Sequence, residues 1–198
     1  MSAASLTLST LDYHPLTLER WGDLEALFRP SGACMGCWCM YWRLTRSQFN
    51  RQLGEENRRA LRAIVDAGQV PGILAYAGGE PVAWCSVGPR ESYPSLDRSP
   101  VLKRVDEQPV WSVVCFFVAR PYRRRGLMLP LLRAAVQYAT AQGATIVEGY
   151  PDVEAPGGWG GSAGYMGIIS VFRRAGFVEV ARRSPRRAIV RYVAPRPA

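Results

Sequence analysis

Between Val110 and Ala141 the chain carries its most restrictive pattern. The run VWSVVCFFV, Val110–Val118, is apolar on both faces, which predicts a strand at the centre of a sheet. A short turn with three consecutive arginines follows. Gly126 then opens an amphipathic segment that predicts a helix to Ala141, closed by Gly143. A buried strand running through a glycine turn into a helix commits the chain to packed α/β layers. The turn also has chemistry. A helix N-terminus presents unpaired N–H groups and the positive end of the dipole. Glycine lets an anion approach the backbone closely, and Arg123, Arg124 and Arg125 add charge-assisted donors. This is a pyrophosphate site in outline. A P-loop is excluded because no Gly-Lys-Ser/Thr ending is present, and a dinucleotide fingerprint because the later glycines are missing.

The rest of the chain fits around that unit. Ser5–Leu11 is read as a first strand, Thr17–Phe28 and Ser47–Ala67 as helices, and Ile73–Ala77 with Pro81–Val87 as a hairpin across Gly78-Gly79. Gly88–Gln108 is a loop. Thr145–Tyr150 is a strand, Gly167–Ala175 a short helix, and Phe177–Ala181 with Ile189–Val193 a last strand pair. The 198 residues suit one domain, taken as 1–198. The longest apolar run, Val113–Ala119, is far too short to span a bilayer, and the first residues lack the pattern of a secretory signal. No membrane contact is expected, and a cytoplasmic location is. The net charge of +9 is carried almost wholly by arginine, with Lys103 the only lysine. Arginine suits phosphate and carboxylate partners, so a nucleotide cofactor and nucleic acid are both admitted by charge alone.

The segment Arg123-Arg124-Arg125-Gly126-Leu127-Met128 resembles the Arg/Gln-x-x-Gly-x-Gly/Ala signature of the GNAT superfamily of acyl-CoA-dependent N-acyltransferases, with Met128 replacing the small final residue. The phrase Phe172-Arg173-Arg174-Ala175-Gly176-Phe177 is similar to the family's aromatic–Gly-Phe ending, and the elements follow in the family's order. The resemblance implies a mixed, mostly antiparallel sheet of about seven strands, helices on both faces, and a splay between the two central parallel strands. It implies acetyl-CoA as cosubstrate and a primary amine as acceptor. Phe116, Phe117 and Val118 would pair with the pantetheine arm, Arg123–Met128 would hold the pyrophosphate, and Phe172 would border the cofactor. The thioester would lie between Cys115–Phe117 and Glu148–Tyr150.

Neutralising an amine of pKa near 10.4 at pH 7 costs about 4.6 kcal/mol, so a general base or desolvation has to help. Glu148 leads as the base, with Glu91 and Glu154 behind it. His14, the sole histidine, is read as an exposed or packing residue. For the proton donor to the CoA thiolate, relatives often carry a tyrosine where this chain has Phe172. Tyr165 takes that role here, with Ser170 and Tyr150 as further options. The segment Cys34-Met-Gly-Cys37-Trp-Cys39 holds three cysteines in one cluster without a histidine. Zinc takes four ligands, usually as two separated pairs, so no metal is expected. The odd count of five cysteines suggests reduced thiols. Trp38, Tyr41 and Trp42 are read as an aromatic wall on the acceptor side, and Pro156–Gly164 as a flap. Two other function classes stay open: a non-catalytic acyl-CoA-binding module and, ranked last, a nucleic-acid-associated protein. A homodimer stays open as well.

Overall fold

The apolar run around Val114 lies at the centre of a seven-stranded sheet. A computed structural model of the chain describes residues 11–28, 32–153 and 164–195. Its strands are β1 (Leu11–Pro15), β2 (Gly72–Ala77), β3 (Glu80–Pro89), β4 (Trp111–Val118), β5 (Ile146–Gly149), β6 (Val178–Ser184) and β7 (Arg187–Val193). They lie in the order β1-β2-β3-β4-β5-β7-β6. Only β4 and β5 run parallel; the other neighbours are antiparallel. The helices are α1 (Trp21–Phe28), α2 (Arg46–Arg51), α3 (Glu55–Asp66), α4 (Met128–Ala141) and α5 (Ile169–Arg174). The mixed α/β architecture is the expected one. No helix among the described residues is long and apolar enough to cross a membrane.

Period-3.6 apolar spacing assigns each helix its face. Leu131, Leu132 and Ala135 of α4, with Ile169 and Phe172 of α5, bury against Val113 and Val147 on one side of the sheet. Leu24 and Phe28 of α1 and Leu61 of α3 bury against Leu74 and Trp84 on the other. The connection between β3 and β4 closes a third cluster, in which Tyr93, Leu96 and Leu102 meet Val114, Tyr150 and Ile189.

Two departures from the sequence reading have local causes. The helix expected over 47–67 is two helices. A capping box between Thr45 and Gln48 starts α2, and Gly54 breaks the run at φ 87°. The Gly54 amide then donates to the Gly36 carbonyl at 3.0 Å, so the break docks the cysteine-rich segment. A Cβ on Gly36 would stand 2.6 Å from the Gly54 nitrogen, which excludes any larger residue there. The first strand begins at Leu11, where the sequence reading ended it; residues 5–10 lie outside the described residues.

The strand β4 is irregular where it matters. Its register against β3 passes from Ser86↔Cys115 to Val87↔Val113, leaving Val114 as an extra residue. This bulge puts Val114 and Cys115 on one face. Pairing with β5 covers only Trp111↔Val147, Ser112↔Glu148 and Val113↔Gly149. From Val114 onward β4 has no rung with β5, and the two strands part.

Candidate active site

The parting of β4 and β5 leaves a strand edge that needs partners. One is already engaged: the Phe116 N–H donates to the Tyr165 carbonyl at 2.6 Å. Tyr165 belongs to the turn that enters α5, and its backbone therefore lies in the splay. The Phe116 side chain is buried on the α4 side, edge-on to Phe172. Phe117 faces the other way, onto Phe28 of α1. Val118 is half-buried against the α4-side core.

Beyond β4 the chain makes a 3-10 turn at Arg120–Tyr122, and two residues at positive φ, Arg124 at 59° and Gly126 at 80°, aim it into α4. No side chain caps the N-terminus of α4, and Pro130 in its first turn has no N–H to leave unpaired. A Cβ built on Gly126 meets nothing within 4 Å. Open space thus lies over the glycine and in front of an uncapped helix end, the arrangement that a phosphate needs. Arg124 and Arg125 are exposed there. Arg123 is spoken for: its Nε donates to the Val118 carbonyl at 2.9 Å and its guanidinium lies 5.9 Å from the Phe117 ring centre. It braces the turn. Leu127 is a core anchor, 3% exposed, so only its backbone faces the open side; Met128 is half-buried.

Phe172 does not border open space. Its ring is 0% exposed and wedged between two glycines: a Cβ on Gly149 would stand 2.1 Å, and one on Gly167 2.6 Å, from ring carbons. Phe116 and Phe177 meet it edge-on. The expectation that Phe172 touches the cofactor is therefore corrected: the ring is core, and the missing side chains of the two glycines make room for it.

Glu148 is held as an anchor. Its side chain is 1% exposed and its two oxygens accept three hydrogen bonds. Arg90 Nη1 and the Tyr150 hydroxyl donate to Oε1 at 2.9 and 2.8 Å, and Arg191 Nε donates to Oε2 at 2.8 Å. Arg90, also 1% exposed, reaches on to Asp97 and the Leu102 carbonyl. Arg191 grips Asp106 with both terminal nitrogens, at 2.6 and 3.0 Å. That grip holds the Asp106 carboxyl down at about 2. The Tyr150 phenol, buried beside the Glu148 charge, is pushed well above the ordinary tyrosine range. The network ties the β3–β4 connection to β5 and β7. A base has to reach the amine, and this carboxylate is engaged by three donors and has its surface covered.

The other expected acids and bases are scattered. Glu91 is exposed and paired with Arg104 at 2.8 Å, which lowers its pKa. Ser170 is exposed. His14 is on β1, the edge strand three places from β4, with its ring edge-on to Tyr76. Glu154 and most of the Pro156–Gly164 loop lie outside the described residues.

Tyr165 is placed differently. Burial raises its phenol above the ordinary range, so it stays protonated at neutral pH, and Trp42, Arg187, Tyr41 and Cys115 surround it. Its ring meets Tyr41 edge-on at 6.2 Å, and Tyr41 meets Trp42 at 5.0 Å. Two members of the expected aromatic wall thus stand beside the splay. Trp38 does not: it is 5% exposed and packs on Trp21 and Phe28 in the core. Cys39 and Cys115, from the cysteine-rich segment and from β4, bring their sulfurs to 3.5 Å. Among the described residues no group of three or more His, Cys, Asp or Glu side chains is arranged to hold a metal ion; the Cys34 side chain lies outside them.

Comparison with known proteins agrees with this geometry. The profile of the acetyltransferase (GNAT) family matches residues 37–155. No curated protein matches the chain in sequence. Among solved structures, the PaiA N-acetyltransferase of Thermoplasma acidophilum, in complex with coenzyme A, aligns over 93% of this chain and 99% of its own at a TM-score of 0.52 and 12% identity. A GNAT-family acetyltransferase from Streptococcus agalactiae aligns over 96% and 99% at 0.56 and 10% identity. One from Listeria monocytogenes aligns over 93% and 95% at 0.57 and 8% identity. These likenesses share the fold, and the profile covers more than half of the chain from the cysteine-rich segment through β5. The chain belongs to the acetyltransferase (GNAT) family.

Proposed function

We propose that the protein transfers an acetyl group from acetyl-CoA to a primary amine. The observation that carries this reading is the β4–β5 splay, continuous with the open glycine turn and the uncapped start of α4. One continuous stretch of backbone, engaged in this structure at the Phe116 N–H by the Tyr165 carbonyl and at the Val118 carbonyl by Arg123, then accepts an amide-bearing arm at one end and a pyrophosphate at the other. Gly126, Leu127 and Met128 serve the pyrophosphate through backbone N–H groups. Arg124 and Arg125 add positive charge; Arg123 acts through the turn it braces. The edge Phe116–Val118 pairs with the pantetheine arm, and for that the Tyr165 carbonyl has to release the Phe116 N–H.

Acyl transfer requires a polarised carbonyl, a neutral amine and a protonated leaving group. The Phe116 N–H supplies the first when it turns to the thioester oxygen. The Tyr165 phenol, protonated and beside the splay, supplies the last. Tyr41, Trp42 and Tyr165 form an aromatic cluster against which an amine sheds water, and desolvation favours the uncharged form. Glu148 anchors β5 to Arg90 and Arg191 and takes no proton from the amine.

The test is release of CoA thiol from acetyl-CoA across a panel of small amines, peptides and lysine-bearing proteins. Turnover with at least one amine is expected. Coenzyme A binding without turnover on any acceptor would instead support a binding module.

A further inference from the structure

We propose that Arg187 is a positioning residue for the transfer: held by Asp152 beside the Tyr165 phenol, it carries the positive charge that lets this buried hydroxyl give its proton to the CoA sulfur. The proposal rests on the acetyl-transfer reading above and on Tyr165 as its proton donor. Its own observation is a junction of three chain segments at Asp152, a residue only 7% exposed. One carboxylate oxygen, Oδ1, takes Arg187 Nη2 at 2.8 Å, and the other, Oδ2, accepts the Gly164 N–H at 3.0 Å. The Asp152 backbone grips the far end of the same turn. Its N–H donates to the Gly167 carbonyl at 2.9 Å, and its carbonyl accepts the Ile169 N–H at 3.0 Å. Asp152 thus has Ile168 and Arg187 as its two bridge partners. One residue fixes both the turn that carries Tyr165 and the cation next to it.

Burial makes the Tyr165 phenol a reluctant acid, because the phenolate would lose its hydration. Of the groups that face it, Tyr41 and Cys115 oppose ionisation, while Arg187 and the Trp42 indole favour it. Arg187 is the cation among them. Its guanidinium is held at two points, with Nη1 donating to the Tyr150 carbonyl at 2.8 Å and Nη2 on Asp152. An arginine keeps its proton throughout, so it acts as a fixed field and not as a second acid. A charge already fixed where new charge develops costs no reorganisation at the moment of reaction. Backbone bonds alone would dock the turn with any side chain at 152. A buried carboxylate paired with an arginine adds a desolvation cost, and its distinct product here is a cation held beside the phenol.

In the transfer the amine nitrogen attacks the acetyl carbon, the amide bond forms, and the bond to the CoA sulfur breaks with its electron pair. The Tyr165 proton passes to that sulfur and leaves a phenolate beside Arg187. The proton shed by the amine nitrogen then restores the phenol, directly or through solvent, so no proton is gained or lost over the cycle.

The experiment is a double-mutant cycle in turnover, run on the whole chain with an amine that wild type acetylates. The values of kcat and of KM for acetyl-CoA are measured for Arg187→Gln, Tyr165→Phe and the two together. Asp152→Asn, which keeps an acceptor for the Gly164 N–H, is measured in both backgrounds, and melting temperatures show which variants are folded. Arg187→Gln should lower kcat about tenfold, leave the KM for acetyl-CoA unchanged, and cost nothing further once the Tyr165 hydroxyl is gone. Asp152→Asn should give a smaller loss that vanishes in the same background, and this cycle decides the matter where Arg187→Gln does not fold. Equal losses with and without the hydroxyl, or an unchanged kcat in Arg187→Gln, overturn the proposal, because a merely structural arginine behaves in that way. Full activity in Tyr165→Phe also overturns it and leaves acetyl transfer standing. Wild-type protein that binds CoA and acetylates no amine overturns the transfer reading and the proposal together.

Discussion

Replacing Glu148 by glutamine separates an anchor from a base. The carboxylate faces Arg90 and Tyr150 with one oxygen and Arg191 with the other. Glutamine keeps one acceptor oxygen, which stays with Arg90 and Tyr150. Its NH2 group then confronts the Arg191 Nε–H across 2.8 Å, donor against donor. Arg90, 1% exposed, loses a buried counter-charge. Removing one partner of a buried ion pair costs about 3–5 kcal/mol. The lower end applies here, because Arg90 keeps Asp97 and Arg191 keeps both bonds to Asp106. A loss of about 3 kcal/mol lowers the melting temperature of a chain this size by roughly 6–12 °C. The assay is thermal and urea unfolding of Glu148→Gln beside wild type, with turnover measured across pH below the variant's melting point. The anchor account predicts a clear loss of stability and, in the surviving folded protein, a pH profile of the wild-type shape. An unchanged midpoint with a rate loss of about 10²–10⁴-fold that is deepest at low pH would refute it and return the base to Glu148.

Three further outcomes follow from the same geometry. Gly126→Asn tolerates a φ of 80° and points its side chain into the open space over the turn, so CoA affinity should fall at least tenfold, about 1.4 kcal/mol, with little change in melting temperature; calorimetry checks both. Phe172→Tyr adds a hydroxyl but buries it between Gly149 and Gly167, so urea unfolding should show a loss of roughly 1–3 kcal/mol and turnover should not rise. Tyr93, Tyr150 and Tyr165 all have pKa values raised by burial; their contribution is whole below the unfolded tyrosine pKa of about 10 and is lost as pH rises through the folded values, so stability should hold up to that point and fall beyond it, read as midpoint against pH with a part of the phenolate absorbance appearing together with unfolding.

The strand–turn–helix unit was legible because its signals are local. Val110–Val118 is apolar on both faces, Gly126 stands before an amphipathic stretch, and Gly143 ends it. The partners of Glu148 were not legible, because they come from 58, 43 and two positions away in the chain. No periodicity shows that Arg90, at the end of a strand, turns inward. The ring of Phe172 was misplaced for a related reason: motif order places it beside the cofactor, but the depth of its burial depends on the absent side chains of Gly149 and Gly167. Strands β6 and β7 extend further toward their turn than expected, to Ser184 and from Arg187, since arginines on exposed strand positions hide the alternation. The pairing of Cys39 with Cys115 had no sequence signal beyond the presence of both thiols; it needed the bulge at Val114 and the loop at Gly36.

The central claim is that the β4 edge and the start of α4 together hold CoA. Amide hydrogen exchange with and without saturating CoA tests it directly. The account predicts added protection at 116–118 and 126–129, with residues 164–167 changing as the Tyr165 carbonyl gives up the Phe116 N–H, while β1 and β6 stay as they were. Protection confined to other segments, or none at 126–129 while CoA is bound, would contradict it.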